Sequence, residues 1–94
     1  MFTWTEEKRA ANIRKHRVDF EAVHGFDFAS ALVTPDQRRE YGEDRYIVLG
    51  RIAKRVHVLI YTPRGEELHL ISLRKANQRE RDYYERTWTD LPAH

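Results

Sequence analysis

The chain has 94 residues, 40% of them apolar and 34% charged, with 17 lysines and arginines, 15 aspartates and glutamates, and no cysteine. That length supports one domain over residues 1–94 with a modest core, and the missing cysteines exclude disulfides, thiol nucleophiles and cysteine-ligated zinc. A net charge of +2 points only weakly to nucleic acid, but residues 1–50 carry 8 cations against 9 anions and residues 51–94 carry 9 against 6, so the basic excess sits in the second half.

In chain order, Phe2-Thr3-Trp4 alternates as a short strand would. Thr5 then suits a helix N-cap, with Glu6 and Glu7 complementing the dipole, and the helix should run to about His16. Ala10 and Ile13 form its small apolar side, while Lys8, Asn12, Lys15 and His16 share a polar face whose plainest reading is solvation. A second short helix follows, with Asp19 as cap, Val18 and Val23 as hydrophobic staple, and Gly25 closing it in a left-handed conformation. Residues 34–44 are polar, contain Pro35 and Gly42, and read as an exposed loop.

From Arg45 the chain turns strand-like: Arg45 to Gly50, Val56 to Thr62 and Leu68 to Arg74 are joined by short polar links, which suggests an antiparallel meander. An even-length turn over Pro63 to Glu66 places His57 opposite Ser72, Leu59 opposite Leu70, Tyr61 opposite Leu68 and Arg55 opposite Arg74. One face then carries Ile47, Leu49, Val56, Val58, Ile60, Ile71 and Leu73 and should bury against the two N-terminal helices. The other carries Tyr46, Val48, Arg55, His57, Tyr61, Ser72 and Arg74, a polar and aromatic floor open to a ligand.

At Arg74-Lys75 the side-chain period changes from two to helical, which predicts a helix from about Lys75 to Arg86 and bends the chain where its charge is densest. Ala76, Glu80, Tyr83, Tyr84 and Trp88 share one side of that helix, and Asp82 with Arg86 and Arg81 with Glu85 are spaced as ion pairs. Glu80 on an apolar stripe calls for a cationic partner, Arg45 or Arg74. Leu91 to His94 should fray. The longest apolar run, Val56 to Tyr61, is too short to cross a bilayer and the N-terminus has no basic leader, so a soluble cytoplasmic chain without membrane contact is expected.

No phosphate-binding loop, dinucleotide fingerprint, zinc-protease helix or serine elbow is present, and histidines 16, 24, 57, 69 and 94 lack metal-ligand spacing. No metal and no cofactor is therefore expected. Cations able to hold a phosphodiester, a histidine or carboxylate able to move a proton, and tyrosines able to stack bases leave metal-free phosphate chemistry as one possibility beside simple binding.

The ordered residues Phe2, Trp4, Thr5, Lys8, Asn12, Lys15, His16, Arg17, Val18, Phe20 and Glu21 resemble the opening of the BrnT toxin family, the ribonuclease half of a bacterial type II toxin-antitoxin pair. Glu43, Arg45, Tyr46 and Gly50, then Tyr61-Thr62 and Arg64, match its middle, and Ile71-Ser72, Arg74-Lys75-Ala76, Glu80-Arg81 and Tyr84 match its end. The resemblance implies an α+β fold of order β-α-α-β-β-β-α like that of the RelE ribonucleases, an antiparallel sheet with two N-terminal helices on one face and a C-terminal helix behind. It also implies RNA cleavage without metal, arrest of translation and growth, and inhibition by a BrnA-like antitoxin with a ribbon-helix-helix part, operator DNA being bound only through that complex.

The candidate catalytic residues are Arg74, Lys75, His57, Arg64 and Tyr61, and the candidate RNA-binding residues are Lys15, His16, Arg55, Arg45 and Arg81. Four positions depart from the pattern: Thr5 replaces aspartate, Arg17 replaces glycine, His69 stands where arginine is usual, and Leu73 replaces a small residue. The last two motivate the alternative of a catalytically impaired RNA-binding or antitoxin-binding module that acts in operon autoregulation. A DNA-binding regulator in its own right is a third reading, without a visible helix-turn-helix to carry it.

Overall fold

In the computed structural model, which describes residues 1–90, strand β1 (Phe2–Thr3) leads into helix α1 (Glu6–His16), a 3-10 helix (Phe20–Gly25), strands β2 (Leu32–Pro35), β3 (Tyr46–Ile52), β4 (Arg55–Arg64) and β5 (Glu67–Lys75), and helix α2 (Gln78–Asp90). The expected fraying of Leu91 to His94 falls outside the described residues. The chain is α+β, but its sheet has five strands in the order β1-β5-β4-β3-β2 and is mixed, because β1 runs parallel to β5. The expected three-stranded antiparallel meander is its centre. Residues 34 and 35 belong to β2 rather than to a loop, and four residues too few to show a period hid that strand.

Thr5 caps α1 by accepting from the Lys8 amide. Arg17 ends it at φ 62°, its amide donating to the Ile13 carbonyl, so the left-handed cap survives without glycine. The helix presents Asn12 to the sheet and leaves Ala10 exposed, against the sides read from its sequence, while Ile13 is half-buried and Lys8 and Lys15 are exposed as expected. Asn12 Nδ2 donates to the Leu73 and Val18 carbonyls while its Oδ1 accepts from the Leu73 amide. A side-chain amide thereby completes the ladder along the edge of β5 that β1 does not reach. Asp19 caps the next turn, which is a 3-10 helix and ends on extended Phe26, with Gly25 outside the left-handed region.

Each sheet face is covered by a different helix. Leu59, Leu73, Leu70 and Val48 pack with Val18, Phe20, Val23 and Phe26 from the N-terminal half, and Tyr46 and Tyr61 border that cluster. Gly50 on this face has the Phe26 ring where a Cβ would stand, 2.5 Å away. Val56 and Val58 pack with Ala76 and Tyr84, bordered by Leu32, Ile47, Leu49 and Ile60. Hence the apolar face Val56-Val58-Ile60 does exist, but α2 covers it; the two N-terminal helices cover the face expected to be open.

The register explains the rest of the correction. His57 pairs with Lys75, Val58 with Arg74 and Leu59 with Leu73, whereas Tyr61 pairs with Leu70, and a bulge lies between Ile60 and Tyr61. Ile71 is the extra residue on β5. One extra residue inverts the alternation beyond it, so Leu73 joins the His57 face and Arg74 joins the Val58 face. His57, 6% exposed, lies on the core side under the N-terminal helices, which refutes the predicted pairing. Strand β5 also continues through Lys75, and the last helix starts at Gln78 behind an Asn77 cap: the Glu80 amide donates to Asn77 Oδ1, and the Asn77 amide to Glu80 Oε1.

Candidate active site

Alternation along the strands puts four residues from four strands in one row across the α2 face: Thr34, Ile47, Ile60 and Ser72. The row spans about 14 Å, three strand spacings. Thr34 is exposed and the other three are half-buried. On one side α2 covers Leu49 and Val58; on the other, the Asp36 amide bonds the Arg45 carbonyl and extends the β2-β3 ladder, so that buried Asp36 and Arg45, whose guanidinium lies 4.0 Å from the Tyr41 ring, stand on the same face. The strip of sheet between α2 and these residues is the candidate trough.

Arg74 stands at the β5 end of the trough. Its two terminal nitrogens donate to the two Glu80 oxygens at 2.8 Å each, and one also donates to the Lys75 carbonyl. A guanidinium has five N–H groups, so two remain for a ligand. The hydrogen bonds to Glu80 raise the Arg74 pKa, and the same bonds hold the Glu80 carboxyl below its ordinary value. Glu80 thus finds the cation its apolar surroundings demand, and Arg74 gains a fixed plane.

Around the edge of β5 the trough meets a groove of about 220 Å³ lined by Lys8, Lys15, His16, Ile71 and Ser72. His16 titrates below the usual histidine value, first because it is partly buried and then because Lys15 and Arg74 repel a further proton. That shift favours the uncharged ring, the form able to accept a proton. Lys8 and Lys15 are exposed at the rim.

The remaining residues expected at the site are distributed by the sheet. His57 and Lys75 pair on the opposite face, where His57 Nδ1 donates to the Arg55 carbonyl at 2.8 Å and burial, aided by Arg55 and Lys75, keeps the ring neutral. Arg64 and Arg45 lie at the other end of the sheet and both bond Glu43, at 3.8 and 3.2 Å. Six residues of β4 separate Arg64 from the partner of Arg74, or about 20 Å, so Arg64 does not adjoin Arg74. Tyr61 stacks on Tyr46, with 5.5 Å between ring centroids, on the core side; burial raises its pKa. Arg81 bonds Gln78 on α2, which also bonds Asp82, in place of the expected Arg81-Glu85 and Asp82-Arg86 pairs. The structure gathers His16 and Lys15 with Lys8 and Ser72 in one groove, with Arg74 near enough for its charge to act on His16; it places Lys75, His57 and Arg55 on the other face, Arg45 at the far border of the row, and leaves Tyr61 and Arg64 remote.

Sequence reasoning put Ser72 on a ligand-facing floor and Lys8 on one face with Lys15 and His16, but joined neither to the other, and it missed Arg38 altogether. The Asn77-x-x-Glu80 spacing of a capping box would have moved the helix start and kept Arg74 in the strand. Among the described residues no group of three or more histidines and carboxylates could hold a metal ion, and no helix is long and apolar enough to cross a membrane. A family model described as the ribonuclease toxin BrnT of type II toxin-antitoxin systems matches residues 4–80. No curated protein matches the chain.

Proposed function

We propose that this chain, which belongs to the BrnT family of ribonuclease toxins of type II toxin-antitoxin systems, is an endoribonuclease that needs no metal and cuts RNA in the trough at the end of β5. The observation that carries the proposal is Ser72, which belongs both to the groove of His16 and Lys15 and to the row on the same strand face as Arg74, whose guanidinium is fixed on Glu80. Single-stranded RNA would lie across Thr34, Ile47, Ile60 and Ser72 with a phosphate at Arg74. His16 accepts the proton of a ribose 2′-hydroxyl, whose oxygen attacks the adjacent phosphorus; the P–O5′ bond breaks, and the leaving oxygen takes a proton from an acid or water. Arg74 and Lys15 stabilise charge on the non-bridging oxygens. Lys75 and Arg55, exposed at the same strand end but on the other face, hold flanking RNA, while His57 is buried there and bonds the Arg55 carbonyl.

The reading extends to partners. A ribbon-helix-helix antitoxin of the BrnA kind would neutralise the toxin, and the pair would repress its operon, as the family resemblance implies. A fold of the RelE kind agrees with the α+β architecture. A second reading rests on Glu80, which engages both terminal nitrogens of Arg74, as a purely structural anchor would. In that reading the chain binds RNA or antitoxin and regulates its operon without cutting.

Induction in a bacterial host with primer-extension mapping of cellular RNA separates the two. Wild type should arrest growth and produce discrete cuts, co-expressed antitoxin should relieve the arrest, and Arg74→Ala should abolish both while the protein stays folded. Wild type that neither arrests growth nor cuts RNA supports the second reading; if wild type does cut and the double variant Arg74→Met, Glu80→Met recovers both stability and toxicity, Arg74 is an anchor and not the phosphate ligand.

A further inference from the structure

The wall of the trough facing α2 carries a second ion pair. Asp36, whose side chain is fully buried, accepts from Arg38 Nε and from an Arg38 terminal nitrogen at 2.8 Å each, from the Arg38 amide at 3.3 Å, and from the Tyr41 hydroxyl at 3.1 Å. The Arg38 side chain is 64% exposed. The Asp36 amide bonds the Arg45 carbonyl and continues the β2-β3 ladder by one step, which puts the Asp36 side chain on the face of Thr34, Ile47 and Arg74.

Closing a loop does not require this arrangement. A buried carboxylate is costly, and an apolar or amide side chain would fill the same place at less expense. What the pair supplies is a guanidinium fixed in plane from behind, with donors left over in front. Arg74 on Glu80 has the same construction across the row, and the charge of Arg38 acts on Arg74 to oppose its protonation. Two like charges, each fixed on a carboxylate and close enough to act on one another, thus stand on the sheet face that carries Thr34, Ile47, Ile60 and Ser72.

We infer that Arg38 is a further phosphate-binding cation, holding a flanking phosphodiester of single-stranded RNA at the β2 side of the trough, and that Asp36 is its positioning residue. The inference rests on the RNA-directed reading given above and adds the polarity of the site: the strand enters past Arg38 and is cut at Arg74. Arg38 binds flanking backbone and does not touch the reacting phosphorus.

The test uses the full chain and two RNA probes, an unmodified single strand for cleavage and a fully 2′-O-methylated strand, which has no nucleophile, for binding. Wild type should bind the methylated strand with an affinity that falls as salt rises. Arg38→Gln should weaken that binding and flatten the slope of log affinity against log salt by about 0.7, one phosphate contact on a single strand. Since Arg38→Gln alone leaves Asp36 short of a partner, the double variant Asp36→Asn, Arg38→Gln preserves the loop and should give the same flattening at wild-type melting temperature. Asp36→Asn alone keeps the charge and the slope but releases the side chain, so it should raise KM with little change in kcat.

A folded double variant with wild-type slope and wild-type kcat/KM overturns the inference. Wild type that binds with an Arg38-dependent slope yet cuts nothing removes the ribonuclease reading and leaves Arg38 as a phosphate contact. Wild type that binds no RNA overturns both.

Discussion

The guanidinium of Arg74 and the carboxylate of Glu80 lie fork to fork, with two bonds of 2.8 Å, and Glu80 also closes the first turn of α2 through the Asn77 amide. One carboxylate thereby fixes a strand end, a helix start and the orientation of the proposed phosphate ligand. Glu80→Gln keeps the shape, loses the charge and should cost about 1 to 3 kcal/mol. Chemical denaturation checks this; a variant that loses activity at unchanged stability would place Glu80 in the chemistry itself.

Asn12 should be the most sensitive polar residue of α1. Its truncation to alanine leaves the Leu73 amide and carbonyl and the Val18 carbonyl without partners in a buried setting, which at about 1 to 3 kcal/mol for each stranded group amounts to several kcal/mol. Amide exchange at Leu73 should quicken before that of Leu59. Equal exchange at both positions would show that the side chain is not completing the ladder.

Arg17 holds a backbone conformation that costs a side-chain-bearing residue about 1 to 2 kcal/mol. Arg17→Gly relieves that strain and loses part of the gain through a more flexible unfolded chain. We expect a net stabilisation of about 0.5 to 1 kcal/mol, seen as a higher melting temperature. A lower one would mean that Arg17 makes compensating contacts elsewhere.

Stability should fall in mild acid. Burial is the first cause that lowers the pKa of His57, His69 and His16; Arg55 and Lys75 reinforce it at His57, Arg64 and Lys8 at His69, and Lys15 and Arg74 at His16, while Glu43 and Glu67 act against it at His69 and the bond to the Arg55 carbonyl at His57. Groups whose pKa is depressed by folding bind fewer protons folded than unfolded, so their contribution is complete above the ordinary value of 6.5 and is lost as pH falls through the folded values. Each histidine adds up to about 1.4 kcal/mol per pH unit within its window. Urea midpoints that stay constant between pH 7 and 5 would contradict this.

The periodicity of Val56-Val58-Ile60, the Thr5 and Asp19 caps and the two hairpins were legible in the sequence because each depends on residues close together in the chain. The faces of Leu73 and Arg74 were not legible, because the bulge that inverts them places Ile71 against nothing, and no local preference marks that residue. The pairing of β1 with β5 is likewise set by residues 66 positions apart, Thr3 with His69. As for the site, the concentration of charge at Arg74-Lys75 was visible, but alternation alone joined Arg74 to His57 rather than to His16. Arg38 was hidden in a polar stretch whose one buried carboxylate, Asp36, looks like any other loop aspartate until the chain is folded.

The most direct test of the account compares kcat/KM for RNA cleavage, in buffer containing EDTA, between His16→Gln and His57→Gln at matched melting temperature. His16 lines the groove at the β5 edge that shares Ser72 with the trough, and His57 lies on the sheet face opposite Arg74. Losing a general base should lower kcat/KM by about a hundredfold or more in His16→Gln and abolish the acid limb of its pH profile, while His57→Gln stays within about tenfold of wild type, a loss of about 1.4 kcal/mol. A His16→Gln variant that cleaves like wild type, or a His57→Gln variant that is dead but folded, would contradict the assignment of the trough as the active site.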